Sequence, residues 1–314
     1  MQNHSSSSLN STSWTTVDLV SSGLMSLCFM IGVPGNIAVI LFIVKHFKKE
    51  NFTVQLMLNL AAADILCLIT LPVWIYEVLN SIDQSTCKLF TALVYCSMYS
   101  SVITVTMLSV YRCLRVRHLQ LWSRMSRRRE RVLLFCGWAL SLLFSCPGVL
   151  TQEIIKSESK MECERKLDSV AKLIVAVMES LFGFLLPFII MLTSYYYLHK
   201  MATQGAFRQS YRPTKLVTRI VIIFFIFWAP HQIIKLEEIC AFFLKSQPVL
   251  SPASDIAGSL TFINSCVNPF LYAFSSKSLD QHKTQVESRR TKGSQHSQSD
   301  HSRAVKSSLN PSKT

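Results

Sequence analysis

Apolar residues in this chain come in long blocks rather than in alternation. From Leu19 to Val44 there is no Asp, Glu, Lys or Arg, and comparable stretches recur near 55–79, 89–111, 132–151, 173–198, 216–240 and 254–274. A helix crossing ~30 Å of hydrocarbon needs roughly 20 mostly apolar residues, and all seven blocks meet or approach that length. The pattern predicts an all-α integral membrane protein, a bundle of seven transmembrane helices, and excludes a soluble enzyme of one or two domains. The connections are short: the longest outer one runs from about 152 to 171 and the third inner one from about 199 to 215, leaving no room for a soluble catalytic domain.

Composition agrees with the blocks. Half of the 314 residues are hydrophobic and only 16% are charged, against about a quarter in a soluble domain. The net charge of +14 raises the question of nucleic acid, and its placement argues against that. With the N-terminus outside, 24 of the 32 Lys and Arg residues fall on the cytoplasmic side, with only Glu50, Glu130, Asp280, Glu287 and Asp300 as acids there. This is the positive-inside distribution of a membrane protein. The basic rim faces anionic membrane lipids and cytoplasmic partners.

Residues 1–17 contain no Lys or Arg and carry two sequons, at Asn3 and Asn10. They read as a glycosylated extracellular segment; without a positive n-region the first span is expected to serve as its own insertion signal. A third sequon, at Asn51, falls in an inner loop and is expected to stay unmodified. Residues 18–280 form the seven-span domain. Residues 281–314 read as a disordered cytoplasmic tail, being poor in aromatic and branched apolar residues. Its hydroxyls at Ser288, Thr291, Ser294, Ser297 and Ser299 lie among basic residues, and both a plain solvated tail and a phosphorylation target fit that composition. Localisation is expected at the plasma membrane.

Most of the ten cysteines lie in apolar blocks, as small buried residues do. Cys87 and Cys163 instead fall in polar surroundings on the oxidising outer side. They are expected to bridge the second outer loop to the top of the third helix.

Polar groups inside a span need a reason, because a charge at the helix centre costs ~2.5–3.5 kcal/mol on insertion scales. Asp64 lies mid-span without a basic residue in its segment, and Asn36, Ser101, Asn264 and Asn268 sit at similar depth in other spans. Such a set suits either a small hard cation such as sodium or a protonated carboxyl in a hydrogen-bonded water network. Prolines at 72, 147, 187, 230 and 269 interrupt five spans, each removing a backbone hydrogen bond.

These landmarks occur in order along the chain. Gly35-Asn36, Leu60-Ala61-Ala62-Ala63-Asp64, Cys87 with Arg112 25 positions later, Trp138, Pro187 with Tyr195, Phe227-Trp228-Ala229-Pro230 and Asn268-Pro269-Phe270-Leu271-Tyr272 follow one another span by span. Over about residues 18–280 the chain resembles the rhodopsin-like G-protein-coupled receptors. The resemblance implies that Trp228 is a rotamer switch beneath the ligand, and that Asp64, Ser101, Asn264 and Asn268 line a sodium site, with no other cofactor. It implies that Arg112, Tyr195 and Tyr272 rearrange to admit a heterotrimeric G protein, with arrestin and a receptor kinase acting at the tail. One departure stands out: the residue before the arginine, acidic in most of that family, is Tyr111 here. Raised basal activity or a different resting lock is expected.

Absences narrow the ligand. Phe262 stands where a retinal receptor needs its Schiff-base lysine, and Val94 where amine receptors carry an aspartate. Helical spacing puts Thr91, Tyr95 and Met98 on one face of the third helix and Trp228, His231 and Lys235 on one face of the sixth. Glu179 lies eight residues outward of Pro187. The expected pocket, lined by these residues and by Tyr99, has an aromatic floor with charges near its mouth, which suits an amphipathic ligand with an anionic head. Lys235 is the leading partner for that head and His231 the second. Lys235 is alternatively paired with Glu238, and Glu179 with Lys235 or His231.

Local strings sharpen the likeness. Ser97-Met98-Tyr99-Ser100-Ser101-Val102, Met178-Glu179-Ser180-Leu181-Phe182-Gly183-Phe184-Leu185-Leu186-Pro187 and Asn264-Ser265-Cys266-Val267-Asn268-Pro269 resemble the leukotriene B4 receptors. That implies a dihydroxy fatty-acid ligand, chemoattractant signalling and mainly inhibitory G proteins. Gln152 departs from the arginine that some members carry there, and His231-Gln232 from Tyr-His. A receptor for a chemotactic peptide or another lipid, and a decoy receptor, are the competing readings, the first because the second outer loop carries Glu153, Glu158, Glu162 and Glu164. A membrane enzyme or pump is disfavoured, since no HExxH, GxSxG or CxxC pattern occurs.

Overall fold

The apolar blocks fold as helices that stack side by side. A computed structural model describes residues 15–46, 52–80, 82–117, 126–156, 161–203, 211–250 and 253–269. Asn3, Asn10, Tyr272 and the tail hydroxyls lie outside the described residues. Helix α1 covers Thr16–His46. The second span is broken into α2 (Phe52–Leu68) and α3 (Leu71–Leu79). Helices α4 (Gln84–Arg117) and α5 (Arg127–Leu150) follow. A hairpin of β1 (Glu153–Lys156) and β2 (Met161–Glu164) comes next, antiparallel, with Ile154 opposite Cys163. The fifth span is α6 (Val170–Ser180), a π-helical turn (Leu181–Leu185) and α7 (Leu186–Thr203). Helix α8 covers Tyr211–Leu244. Helix α9 covers Ser254–Thr261, and residues 263–269 continue helically beyond it. Among the described residues, five helical stretches are long and apolar enough to cross a membrane.

Side-chain distribution explains why these helices associate in lipid. On α5 the buried stripe includes Gly137, Ser141, Ser145 and Gly148, while Phe135, Leu142, Leu143 and Leu150 are exposed. Lipid tails solvate leucine as well as a protein interior does, so small residues that allow close backbone approach go to the helix contacts. Helix α4 is central, packing against α2, α5, α7 and α8. Polar side chains bind the helices together. Asn59 on α2 donates to Thr104 Oγ1 on α4 at 2.6 Å, and its Oδ1 accepts from Trp138 Nε1 on α5 at 2.8 Å. Asn36 on α1 donates to the carbonyl of Ser265 at 2.8 Å.

Some prolines fall where a helix starts or changes form, and others lie inside helices. Pro72 sits in the first turn of α3, just after Thr70, whose hydroxyl bonds back to the Cys67 carbonyl at 2.6 Å. Pro187 follows the π-helical turn, and Pro147 and Pro230 lie inside α5 and α8. A further proline, Pro34, lies inside α1.

Candidate ligand cavity and the polar sites beneath it

A cavity of about 320 Å³ opens between the helices on the side of the β-hairpin, and its lining includes Thr91, Tyr95, Met98, Tyr99, Glu179, Trp228, His231 and Lys235. All eight side chains singled out in the sequence therefore meet in one place. Its floor is aromatic: Trp228 stacks on Phe224 with centroids 5.2 Å apart, and Tyr99 lies 5.8 Å from Phe144.

The hairpin forms the cavity's roof. A Cys87–Cys163 disulfide ties β2 to the first turn of α4. Gln152 donates to the Cys163 carbonyl at 2.9 Å, Glu77 accepts the Cys163 N–H at 2.9 Å, and Gln84 accepts the Ile154 N–H at 2.9 Å. Gln152 thus anchors the loop.

That anchoring delivers a residue the sequence reading missed. Arg165, two positions after Cys163, lies in the cavity wall with its side chain only 3% exposed. Its Nη1 donates to Glu179 Oε1 at 2.8 Å and to Thr151 Oγ1 at 3.2 Å, and its Nη2 donates to Glu179 Oε2 at 2.5 Å. Burial alone would lower the pKa of this guanidinium, but the Glu179 hydrogen bonds and neighbouring charges raise it above the ordinary arginine value. Glu179 therefore pairs with the loop, and neither Lys235 nor His231 takes that role. Lys235 is bonded to Glu238 on its own helix at 3.2 Å. A loop arginine has no periodicity to betray it; nearness to Cys163 is its only signal in the sequence.

A second space of about 30 Å³ lies deeper, sharing Met98, Trp228 and Thr261 with the upper cavity. Asp64 is buried there, accepting from Ser101 Oγ at 3.1 Å and from Asn268 Nδ2 at 2.6 Å. Asn264 lines the same space, and with its amide oriented to satisfy both ends it accepts Trp228 Nε1 at 2.8 Å and donates to the Ile223 carbonyl at 3.3 Å. Asn36 turns instead to Gly32 and Ser265. One carboxylate, a hydroxyl and amide oxygens around a space of this size fit a small hard cation and equally fit a water.

Towards the end of the bundle away from the hairpin, Arg112 is half-buried on α4, and Tyr195 lies on the exposed side of α7 with its ring 6.1 Å from His199. Tyr111 is buried and Glu130, at the start of α5, accepts Gln55 Nε2 at 3.0 Å.

Comparison with known proteins agrees with this architecture. The chain is 32% identical to the C5a anaphylatoxin chemotactic receptor 1 of Danio rerio over 262 residues, 78% of this chain and 73% of that one. It is 29% identical to the C-C chemokine receptor type 1 of Homo sapiens over 269 residues, covering 80% and 74%. It is also 29% identical to the leukotriene B4 receptor 1 of Homo sapiens over 271 residues, covering 82% and 77%. The profile of the family described as 7 transmembrane receptor (rhodopsin family) matches residues 35–272. The chain belongs to that family: it is a seven-helix membrane receptor related to chemoattractant receptors, and not an enzyme.

Proposed function

We infer that this receptor sits in the plasma membrane with its N-terminus outside and responds to leukotriene B4 or a related hydroxylated fatty acid. It would signal through heterotrimeric, mainly inhibitory, G proteins in chemoattraction, with arrestin and a receptor kinase acting at the tail. The observation that carries this reading is the pairing of an aromatic floor with a buried guanidinium in one cavity. An acyl chain gains from the apolar floor, and an acid head gains from the charged donor. Leukotriene B4 receptor 1 stands among the relatives.

A second reading has its own support. The cavity lining includes five carboxylates, Glu77, Glu164, Glu179, Glu238 and Asp255, against the two cations Arg165 and Lys235. That balance attracts a basic peptide. Calcium and cAMP responses to a panel of hydroxylated fatty acids and chemotactic peptides, with and without blockade of inhibitory G proteins, separate the two. Activation by peptides alone refutes the lipid reading.

The space beside Asp64 is proposed as an allosteric sodium site held by Asp64 and Ser101, with Asn264 and Asn268 beside them. Sodium should then lower agonist affinity in the wild type and leave Asp64→Asn unaffected.

A further inference from the structure

Arginine carries five N–H donors in a planar fork. In Arg165 three of them are committed, two to Glu179 and one to Thr151. The Nε–H is buried and has no hydrogen-bond partner among the described residues. Glu179 occupies the edge formed by Nη1 and Nη2, which leaves the edge formed by Nε and the second Nη2 hydrogen. A guanidinium edge of this kind matches a carboxylate with two parallel bonds. The fork is also fixed in place: the disulfide holds Cys163, Thr151 holds Nη1, and Glu179 holds both terminal nitrogens.

We propose that the Nε edge of Arg165 is the docking point for the ligand's acid group, with Glu179 as the positioning residue that holds the guanidinium in the wall. This rests on the lipid reading above and replaces Lys235 as the partner of the acid. Lys235 offers a point charge already bonded to Glu238, whereas Arg165 offers a fixed fork with an unused side.

The test compares dose–response curves for leukotriene B4 and its methyl ester, with the acid-to-ester potency ratio read within each receptor so that expression level cancels. In the wild type the acid is expected to be about tenfold to hundredfold more potent, the range of a charged hydrogen bond. Arg165→Ala and Arg165→Gln bring the ratio close to one, and Arg165→Lys retains part of it. Glu179→Gln, which loosens the hold on the guanidinium, narrows it, and Lys235→Ala preserves it. A wild-type ratio in Arg165→Ala and Arg165→Gln, an unchanged or widened ratio in Glu179→Gln, or a lost ratio in Lys235→Ala overturns the assignment. A wild type silent to both compounds overturns the lipid reading and this proposal together, whereas a response whose ratio ignores Arg165 overturns only the latter.

Discussion

Tyr111 packs edge-on against Phe52, with ring centroids 5.0 Å apart and planes at 79°. Both are buried, and one turn along α2 from Phe52, Gln55 bonds Glu130. The N-terminal end of α2 thus clasps α4 through a ring contact and α5 through a hydrogen bond. A carboxylate at position 111 would stand next to Arg112 in sequence and restrain it by charge. Tyr111→Asp is therefore expected to lower ligand-free nucleotide exchange relative to the wild type. Equal exchange would mean that the ring contact restrains the receptor as well as a carboxylate does.

Gly148 is small because the cavity needs it to be. A Cβ there would lie 2.5 Å from Glu179 Oε1 and 2.7 Å from Tyr95 Cδ2, whereas a Cβ at Gly23 would meet nothing within 4 Å. Gly148→Ala should destabilise by about 1–3 kcal/mol through overpacking and weaken agonist potency. Gly23→Ala, in a helix interior, should gain roughly 0.5–1 kcal/mol. Thermal-shift assays on the purified variants check both; equal melting temperatures would contradict the packing argument.

Asp83 caps the start of α4, accepting the N–H groups of Ser85 at 2.9 Å and Thr86 at 3.1 Å. The Thr86 hydroxyl, then these backbone donors, hold its pKa below the ordinary value. A carboxyl with a lowered folded pKa stabilises above its unfolded value, about 3.9, and that contribution is lost as pH falls through the folded value. The melting-temperature gap between wild type and Asp83→Ala should stay constant from about pH 5 to 8 and close below about pH 4. A gap that widens on acidification would refute the cap's role.

Lys245, just past the end of α8, has φ 52°, and Ser246 N–H closes onto the Ala241 carbonyl at 3.0 Å. This left-handed cap favours glycine. Lys245→Gly should raise stability by roughly 1 kcal/mol, seen as a higher melting temperature, and a fall would show that the lysine side chain contributes more than its backbone strain.

Much of this architecture is legible in the residues themselves. Helical periodicity places Tyr95, Met98, Trp228 and His231 on facing sides because a helix carries its face over many residues, and long, mostly apolar blocks mark the spans because hydrocarbon disfavours charge. Arg165 escapes such reasoning because its position depends on the disulfide and on Gln152, Glu77 and Gln84, which meet only in the folded chain. Lys235 marks a related limit: its neighbour Glu238 is visible, but nothing in the sequence decides whether it pairs there or reaches across. The β-hairpin and the π-helical turn leave no signature either, since neither alters the apolar pattern.

The π-helical turn at Leu181–Leu185 has a geometric consequence for everything outward of it. Such a turn inserts one residue relative to an α-helix, and each residue of an α-helix advances the face by about 100°. Winding the same residues as a regular α-helix, with none removed, would turn Glu179 about 100° around the helix axis relative to α7, away from Arg165. The wider winding of that one turn sets the direction from which the carboxylate meets the arginine.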